Sequence, residues 1–199
     1  MPNWCMNELS VDGNSDELKR FVEASMGLPA KYPPRVLRDG TCVSEPQEDT
    51  VSFFCFNALV PTPQEVLDIG FDGRDKIPAN ALMDVFYGNL NRPLDGYHWN
   101  IAYWGTKWDI YHDHIGKEDM GWSEGCEGIS FDFDTAWSPP REWLYAVAAK
   151  FPNLSFKLHY EEPGCFFAGD LYAQDGMCIE DEYDEARCAE TFAWRMEEE

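Results

Sequence analysis

Residues 104–109 read Trp-Gly-Thr-Lys-Trp-Asp, and the rest of the chain can be arranged around this stretch. More large rings lie close to it in sequence, at Tyr97, Trp99, Tyr103 and Tyr111. So dense a group of rings would expose an apolar patch of a kind that monomeric proteins avoid, so it must pack against other elements. Gly105 allows a backbone turn or a close approach there. We therefore expect the stretch to close one side of a β-sheet.

The flanking sequence alternates between strand and helix patterns. Alternation of apolar and polar residues predicts strands at 3–11, 129–133 and 154–160 and a hairpin around Gln174-Asp175-Gly176. A run at 51–59 is apolar on both sides and predicts a strand covered on both faces. Helical spacing of apolar residues predicts helices near 15–26, 80–90, 139–151 and 183–196.

This order predicts an α+β fold, a ferredoxin-like βαββαβ sheet in one domain spanning 1–199. Two parts are additional to that pattern. A large aromatic-rich insertion spans 64–125, and we expect it to cover the sheet face opposite the helices. An acidic C-terminal extension spans 161–199 and adds the hairpin and a short helix.

The charge of the chain is strongly acidic. Thirty-seven Asp and Glu residues against 15 Lys and Arg give a net charge of −22. From Glu161 to Glu199 there are 13 acidic and two basic residues, a net −11. Phosphate backbones are repelled by such a surface, which disfavours direct binding to nucleic acid. A basic protein partner is favoured instead, although acidity that only maintains solubility is the alternative interpretation.

Cysteine usage and the absence of targeting segments predict a cytoplasmic protein that holds no cofactor and does not enter a membrane. The seven cysteines are odd in number, form no CxxC pair and indicate free thiols. The nearest approach to a metal site is His112-Asp113-His114 followed by Glu118-Asp119, which lacks a third ligand at a diagnostic interval. We expect no metal.

Five motifs spread over nearly the whole chain resemble those of a known family. They are Pro2-Asn-Trp-Cys-Met-Asn-Glu-Leu9, Phe56-Asn-Ala-Leu-Val-Pro61, the 104–109 stretch, the segment from Phe133 to Pro140, and Tyr160-Glu-Glu-Pro-Gly164. The chain is similar to phage and plasmid proteins that carry a YubB-type ferredoxin-like domain. The resemblance implies the fold and a cytoplasmic setting in the bacterial host of a mobile element. It supplies no catalytic residues.

We therefore expect a non-enzymatic protein that binds and inhibits a basic nucleic-acid-binding host defence protein. A CRISPR effector or a restriction nuclease fits this description, and an ordered array of carboxylates would act as a nucleic-acid mimic. The predicted partner-binding residues are Asp170, Asp175, Glu180, Asp181, Glu182, Asp184, Glu185 and Glu190.

The alternative is an enzyme or a small-ligand-binding protein with a pocket between the sheet and the aromatic insertion. Its lining would be Asn7, His98, Trp104, Lys107, Trp108 and Asp109. No catalytic residue is identified, because Cys126 lies in an acidic setting and the bases His98 and His159 lack a nucleophile defined by a motif. A structural accessory that self-associates is a third interpretation, and the sequence does not fix the oligomeric state.

Overall fold

The computed structural model describes residues 3–33, 51–72, 95–110, 115–116 and 118–180. The strands are β1 (Trp4–Asp12), β2 (Gly128–Ala136), β3 (Ser155–Glu162), β4 (Phe167–Gln174) and β5 (Met177–Glu180). The helices are α1 (Ser15–Ser25), α2 (Phe56–Leu59), α3 (Gln64–Ile69), α4 (Gly96–Tyr103) and α5 (Arg141–Lys150). Within these ranges no helix is long and apolar enough to cross a membrane.

The sheet has the order β2-β1-β3-β4-β5, and all its neighbouring strands are antiparallel. Strands β2 and β3 lie on either side of β1 and are joined through α5, which is the split β-α-β arrangement of ferredoxin-like folds. The predicted α+β ferredoxin-like class is therefore confirmed. The hairpin is also confirmed, because Asp175 (φ 54°) and Gly176 (φ 75°) both adopt the left-handed conformation that a tight hairpin turn requires.

The strand predicted at 51–59 is wrong. Only Ser52 makes a β-bridge there, to Gly27, and the chain then turns into the short helix α2. The apolar run is explained by the packing of the Phe54 and Phe56 rings, which lie 5.6 Å and 6.0 Å from the ring of Phe133. Both rings are fully buried, which a helical turn over the sheet achieves without a further strand.

One face of the sheet carries the core. Phe21 of α1 contacts Phe156 of β3 at 5.7 Å between ring centroids, and Trp143 of α5 contacts Phe56 at 5.0 Å. Trp104 is fully buried, 5.9 Å from the ring of Phe56. The 104–109 stretch therefore closes a side of the sheet as expected. We predicted that the insertion covers the sheet face opposite the helices. This is wrong for Trp104, which packs on the same face as the helices.

Helix starts are set by local chemistry. The Asn14 side chain accepts a hydrogen bond from the Glu17 N–H at 3.0 Å, so α1 begins where predicted. Helix α5 begins at Arg141, two residues later than expected, and its cap position, Pro140, offers no side-chain hydrogen bond. The helices predicted at 80–90 and 183–196 lie outside the described residues.

Candidate functional site

The second face of the sheet, here called the exposed sheet face, carries charged and aromatic side chains. Strand register places its residues in rows across the strands. One row runs through Asp132, Glu8, His159 and Asp170, because each is the partner of the next. A neighbouring row runs through Asp134, Met6, Glu161 and Ala168. Carboxylates from β2, β1 and β3 therefore share this face, and the Asp170 carboxylate of β4 lies on the same side but is buried.

The His159 side chain joins β3 to β4. Its Nδ1 lies 2.9 Å from the Asp170 carboxylate on β4, and its Nε2 lies 3.0 Å from Glu161 on its own strand. Partial burial lowers the pKa of His159, but the hydrogen bonds and charges of the two carboxylates outweigh that effect and raise it above its ordinary value. The histidine therefore favours its charged form and holds both carboxylates in place.

Glu8 and Asp132 lie directly opposite each other on adjacent strands. Like charges in that position destabilise a sheet. The Ser130 hydroxyl donates to Glu8 at 3.2 Å, which orients this carboxylate without neutralising it. A cation placed between Glu8 and Asp132 would relieve the repulsion, so this part of the surface is suited to a basic ligand.

An apolar ridge lies beside the acidic rows. Trp4 and Met6 are 41% and 45% exposed on the same side of β1. The Trp4 ring contacts Trp108 at 6.3 Å between centroids, and the Lys107 ammonium lies 4.3 Å from the centroid of the Trp108 ring. Trp108 and Lys107, which were predicted as pocket lining, therefore lie at the end of this ridge.

The acidic residues predicted near the C-terminus are only partly described. Asp170 is buried and paired with His159, and Asp175 forms the hairpin turn. Glu180 ends β5 opposite Leu171. The others lie outside the described residues: Asp181, Glu182, Asp184, Glu185 and Glu190. The fixed array of carboxylates predicted for 170–190 stays a prediction, and the ordered array that is described lies on the exposed sheet face.

Asn7, predicted to line a pocket, has a structural environment. It is buried, and its side-chain nitrogen donates to the Cys5 carbonyl at 2.8 Å, the Phe133 carbonyl at 3.1 Å and the Thr135 hydroxyl at 2.9 Å. These bonds tie β1 to the end of β2.

Asp109 holds the start of α2. Its carboxylate accepts the N–H groups of Phe56 at 2.6 Å, Asn57 at 3.1 Å and Ile110 at 2.8 Å. The residue is partly exposed, but its carboxyl group is surrounded by protein, and this burial raises its pKa to about 6 despite the three hydrogen bonds. Asp109 thus caps α2, although it is distant in sequence. The residue at the cap position of α2, Cys55, makes no side-chain hydrogen bond to the helix.

His98 and Trp104 complete the predicted pocket lining. His98 Nδ1 lies 2.5 Å from the carboxylate of Asp95, which caps α4 by accepting the His98 N–H at 3.0 Å. The Trp104 indole N–H donates to the Val60 carbonyl at 2.9 Å. The polar atoms of Asn7, Asp109 and Trp104 are thus directed at the backbone, and the pocket itself stays a prediction.

The described thiols are poorly suited to nucleophilic chemistry. Burial raises the pKa of Cys5 and of Cys55 to about 12, and a hydrogen bond to Glu162 raises that of the exposed Cys165. All five described cysteines are free. No group of three or more metal-ligating side chains occurs among the described residues, and His112 and His114 lie outside them.

The sequence pattern indicates which residues form the exposed sheet face, but the predicted binding residues did not include most of them. The alternation of Trp4, Met6 and Glu8 against buried neighbours, and of Asp132 and Asp134 against Phe131 and Phe133, already assigned these side chains to one face. Two carboxylates on one strand indicate, by themselves, only a solvent-exposed strand face. Their grouping with Glu161 and His159 depends on strand order, which the local pattern does not give.

Comparison with known proteins supports the fold. Residues 107–199 match a family model described as "Ferredoxin-like domain in Api92-like protein". The chain is 33% identical over 82 residues to the "Uncharacterized protein YubB" of Escherichia coli (strain K12), covering 41% of this chain and 53% of that protein. It thus spans about half the length of this curated relative. The crystal structure of the protein api92 from Yersinia pseudotuberculosis aligns with a TM-score of 0.45 at 13% identity, covering 92% of this chain and 98% of that chain.

The resemblance to a YubB-type ferredoxin-like domain is thus confirmed at the level of the domain. Strands β2 to β5 fall within the segment of this chain that matches the ferredoxin-like domain of Api92-like proteins.

Proposed function

We propose that this chain is a non-enzymatic acidic protein that binds a basic protein through its exposed sheet face. The observation that carries the proposal is the directly opposed pair Glu8 and Asp132, within an array that also contains Asp134 and Glu161. Opposed carboxylates destabilise the free sheet and gain most when a cationic group binds between them.

The partner class we propose is a nucleic-acid-binding host defence protein, such as a CRISPR effector or a restriction nuclease. Glu8 and Asp132 lie on adjacent strands, which are about 4.8 Å apart, and Asp134 and Glu161 lie on the strands on either side of Met6. The sheet holds these negative charges in fixed positions, as the backbone of a nucleic acid holds its phosphates. A basic groove shaped for a phosphate backbone would accept such a surface. The chain would thereby act as a nucleic-acid mimic encoded by a phage or plasmid in the bacterial cytoplasm.

The test is capture of host proteins on the immobilised full chain at low and high salt, followed by assay of the captured nuclease. The informative variant combines Glu8→Gln, Asp132→Asn and Asp134→Asn. The matched control neutralises three exposed carboxylates elsewhere, Glu23→Gln, Glu118→Gln and Glu124→Gln.

We expect the wild type and the control to capture a nucleic-acid-binding protein at low salt and to inhibit its activity. The sheet variant should lose both effects. High salt should release the partner, because several ion pairs form together. Retention of full capture and inhibition by the sheet variant would refute the proposal.

A further inference from the structure

We infer that the corner of the exposed sheet face formed by Trp4 and Met6 is a binding seat for an arginine side chain of a protein partner. This inference rests on the proposed function and specifies the chemistry of the partner. Two large apolar side chains are held half-exposed on a sheet strand, so little conformational entropy is lost when they are covered. Exposed aromatic anchors of this kind carry much of the affinity in protein interfaces.

Carboxylates flank the apolar corner on both sides. Met6 lies opposite Asp134 on β2 and opposite Glu161 on β3, and all three side chains project from the same face. The His159 Nε2 contact at 3.0 Å fixes the position of the Glu161 carboxylate. The site thus offers an aromatic plane on β1 and a carboxylate on each of the two strands beside it.

A guanidinium group fits both features at once. It is planar, stacks on an aromatic face and presents five N–H donors in a fixed fork, whereas an ammonium is a compact and strongly hydrated point charge. The Trp108 ring beside Trp4 already contacts a cation, the ammonium of Lys107. Among the described residues no cation lies over the Trp4 ring, and the inferred arginine of the partner would occupy this position.

Nucleic acid is the competing ligand class for such a corner. Aromatic side chains on the face of a ferredoxin-like sheet stack on bases in some RNA-binding domains. Here Asp134 and Glu161 lie on either side of Met6 and would repel the accompanying phosphates. The charge therefore favours an arginine-bearing protein segment over RNA.

The experiment measures binding of the full chain to labelled oligoarginine and oligolysine peptides of equal length and to a labelled oligouridine. The variant is Trp4→Leu, and the matched control is Tyr145→Leu, an aromatic residue on α5 that is 39% exposed. A second variant keeps Trp4 and combines Asp134→Asn with Glu161→Gln. Thermal melting of each variant verifies that it is folded.

We expect the wild type to bind oligoarginine about fivefold more tightly than oligolysine, as expected for one exposed cation–π contact. Trp4→Leu should erase this preference, and Tyr145→Leu should retain it. The second variant should weaken the binding of oligoarginine more than that of oligolysine.

Equal affinity for the two peptides, or a preference that survives Trp4→Leu, would overturn the arginine seat. Oligouridine binding that Trp4→Leu abolishes would overturn it too, by assigning the corner to nucleic acid. Two other results would refute the proposed function itself. The first is that neither peptide binds the wild type. The second is that the variant combining Glu8→Gln, Asp132→Asn and Asp134→Asn binds both peptides as well as the wild type does.

Discussion

Replacing Asp109 tests whether one carboxylate organises the junction between the 104–109 stretch and α2. Asp109 accepts three backbone N–H groups and carries a pKa of about 6, against the usual 3.8. Because the folded state raises this pKa, Asp109 binds its proton more tightly in the folded than in the unfolded protein. Stability should therefore fall as pH rises from about 4 to about 6.

The magnitude follows from the shift. A difference of about two pKa units corresponds to about 3 kcal/mol at neutral pH, of which about 2 kcal/mol would develop between about pH 4.5 and pH 7. The protein around a buried charge relaxes and partly screens it, which reduces the expected change to about 1–2 kcal/mol. Asp109→Asn cannot ionise and should lack this part of the pH dependence.

Asp109→Ala should cost more than Asp109→Asn. The alanine leaves the N–H groups of Phe56, Asn57 and Ile110 without their acceptor, and unsatisfied buried donors cost about 1–3 kcal/mol each. We expect a net loss of about 2–4 kcal/mol at neutral pH, since removal of the buried charge offsets part of this cost. An asparagine oxygen can still accept some of these bonds.

The assay is urea unfolding of the wild type and both variants at about pH 4.5 and about pH 7. Contributions from the other carboxylates cancel in the difference between the wild type and Asp109→Asn. If the free energy of unfolding changes with pH by the same amount in these two proteins, the assignment of the buried charge is refuted. If Asp109→Ala is as stable as the wild type, the capping role is refuted.

Five further substitutions have defined outcomes. Gly176→Ala should lower the free energy of unfolding by about 1 kcal/mol, because a Cβ is unfavourable at φ 75°. Asn7→Leu should lower the free energy of unfolding, measured with urea, by about 2 kcal/mol, because it leaves buried acceptors on β2 without a donor. The pKa of His159 is raised in the folded protein, so its ion pairs stabilise the fold fully below about pH 6.5 and are lost as pH rises through the folded-state pKa. The melting temperature of His159→Gln should therefore change less over this pH range than that of the wild type. Glu8→Gln and Asp132→Asn should each raise stability by a few tenths of a kcal/mol, and a double-mutant cycle should show that their gains are not additive.

Periodicity was sufficient to identify most of the sheet. Alternation fixed β1, β2 and β3, and the Asp175-Gly176 pair fixed the final hairpin, because these signals are local in sequence. The run at 51–59 was misassigned for a physical reason. Its rings pack on Phe133 and Trp143, and its helix is capped by Asp109, which lies 53 residues from Phe56. No local pattern contains that information.

The candidate site was predictable only in part for the same reason. The facing direction of Trp4, Met6 and Glu8 follows from alternation within β1, but their neighbours depend on the order of the strands. Strand order places the β3 residue His159 between Glu8 and the β4 residue Asp170. The acidic site was expected from the density of charge along the chain, whereas the described array arises from strands that are distant in sequence.

Under the proposed function, the two faces of the sheet would separate stability from recognition. The covered face buries Leu9, Phe131 and Leu158 completely or nearly so, and that burial supplies the dominant favourable term in folding. The exposed face can then carry opposed carboxylates whose repulsion costs only a small part of that stability. A ligand that neutralises these carboxylates would bind to a surface whose shape is already maintained by the core on the other face. In the proposed function, affinity for a basic partner would be obtained without ordering new structure, which is the physical reason for expecting recognition on the sheet.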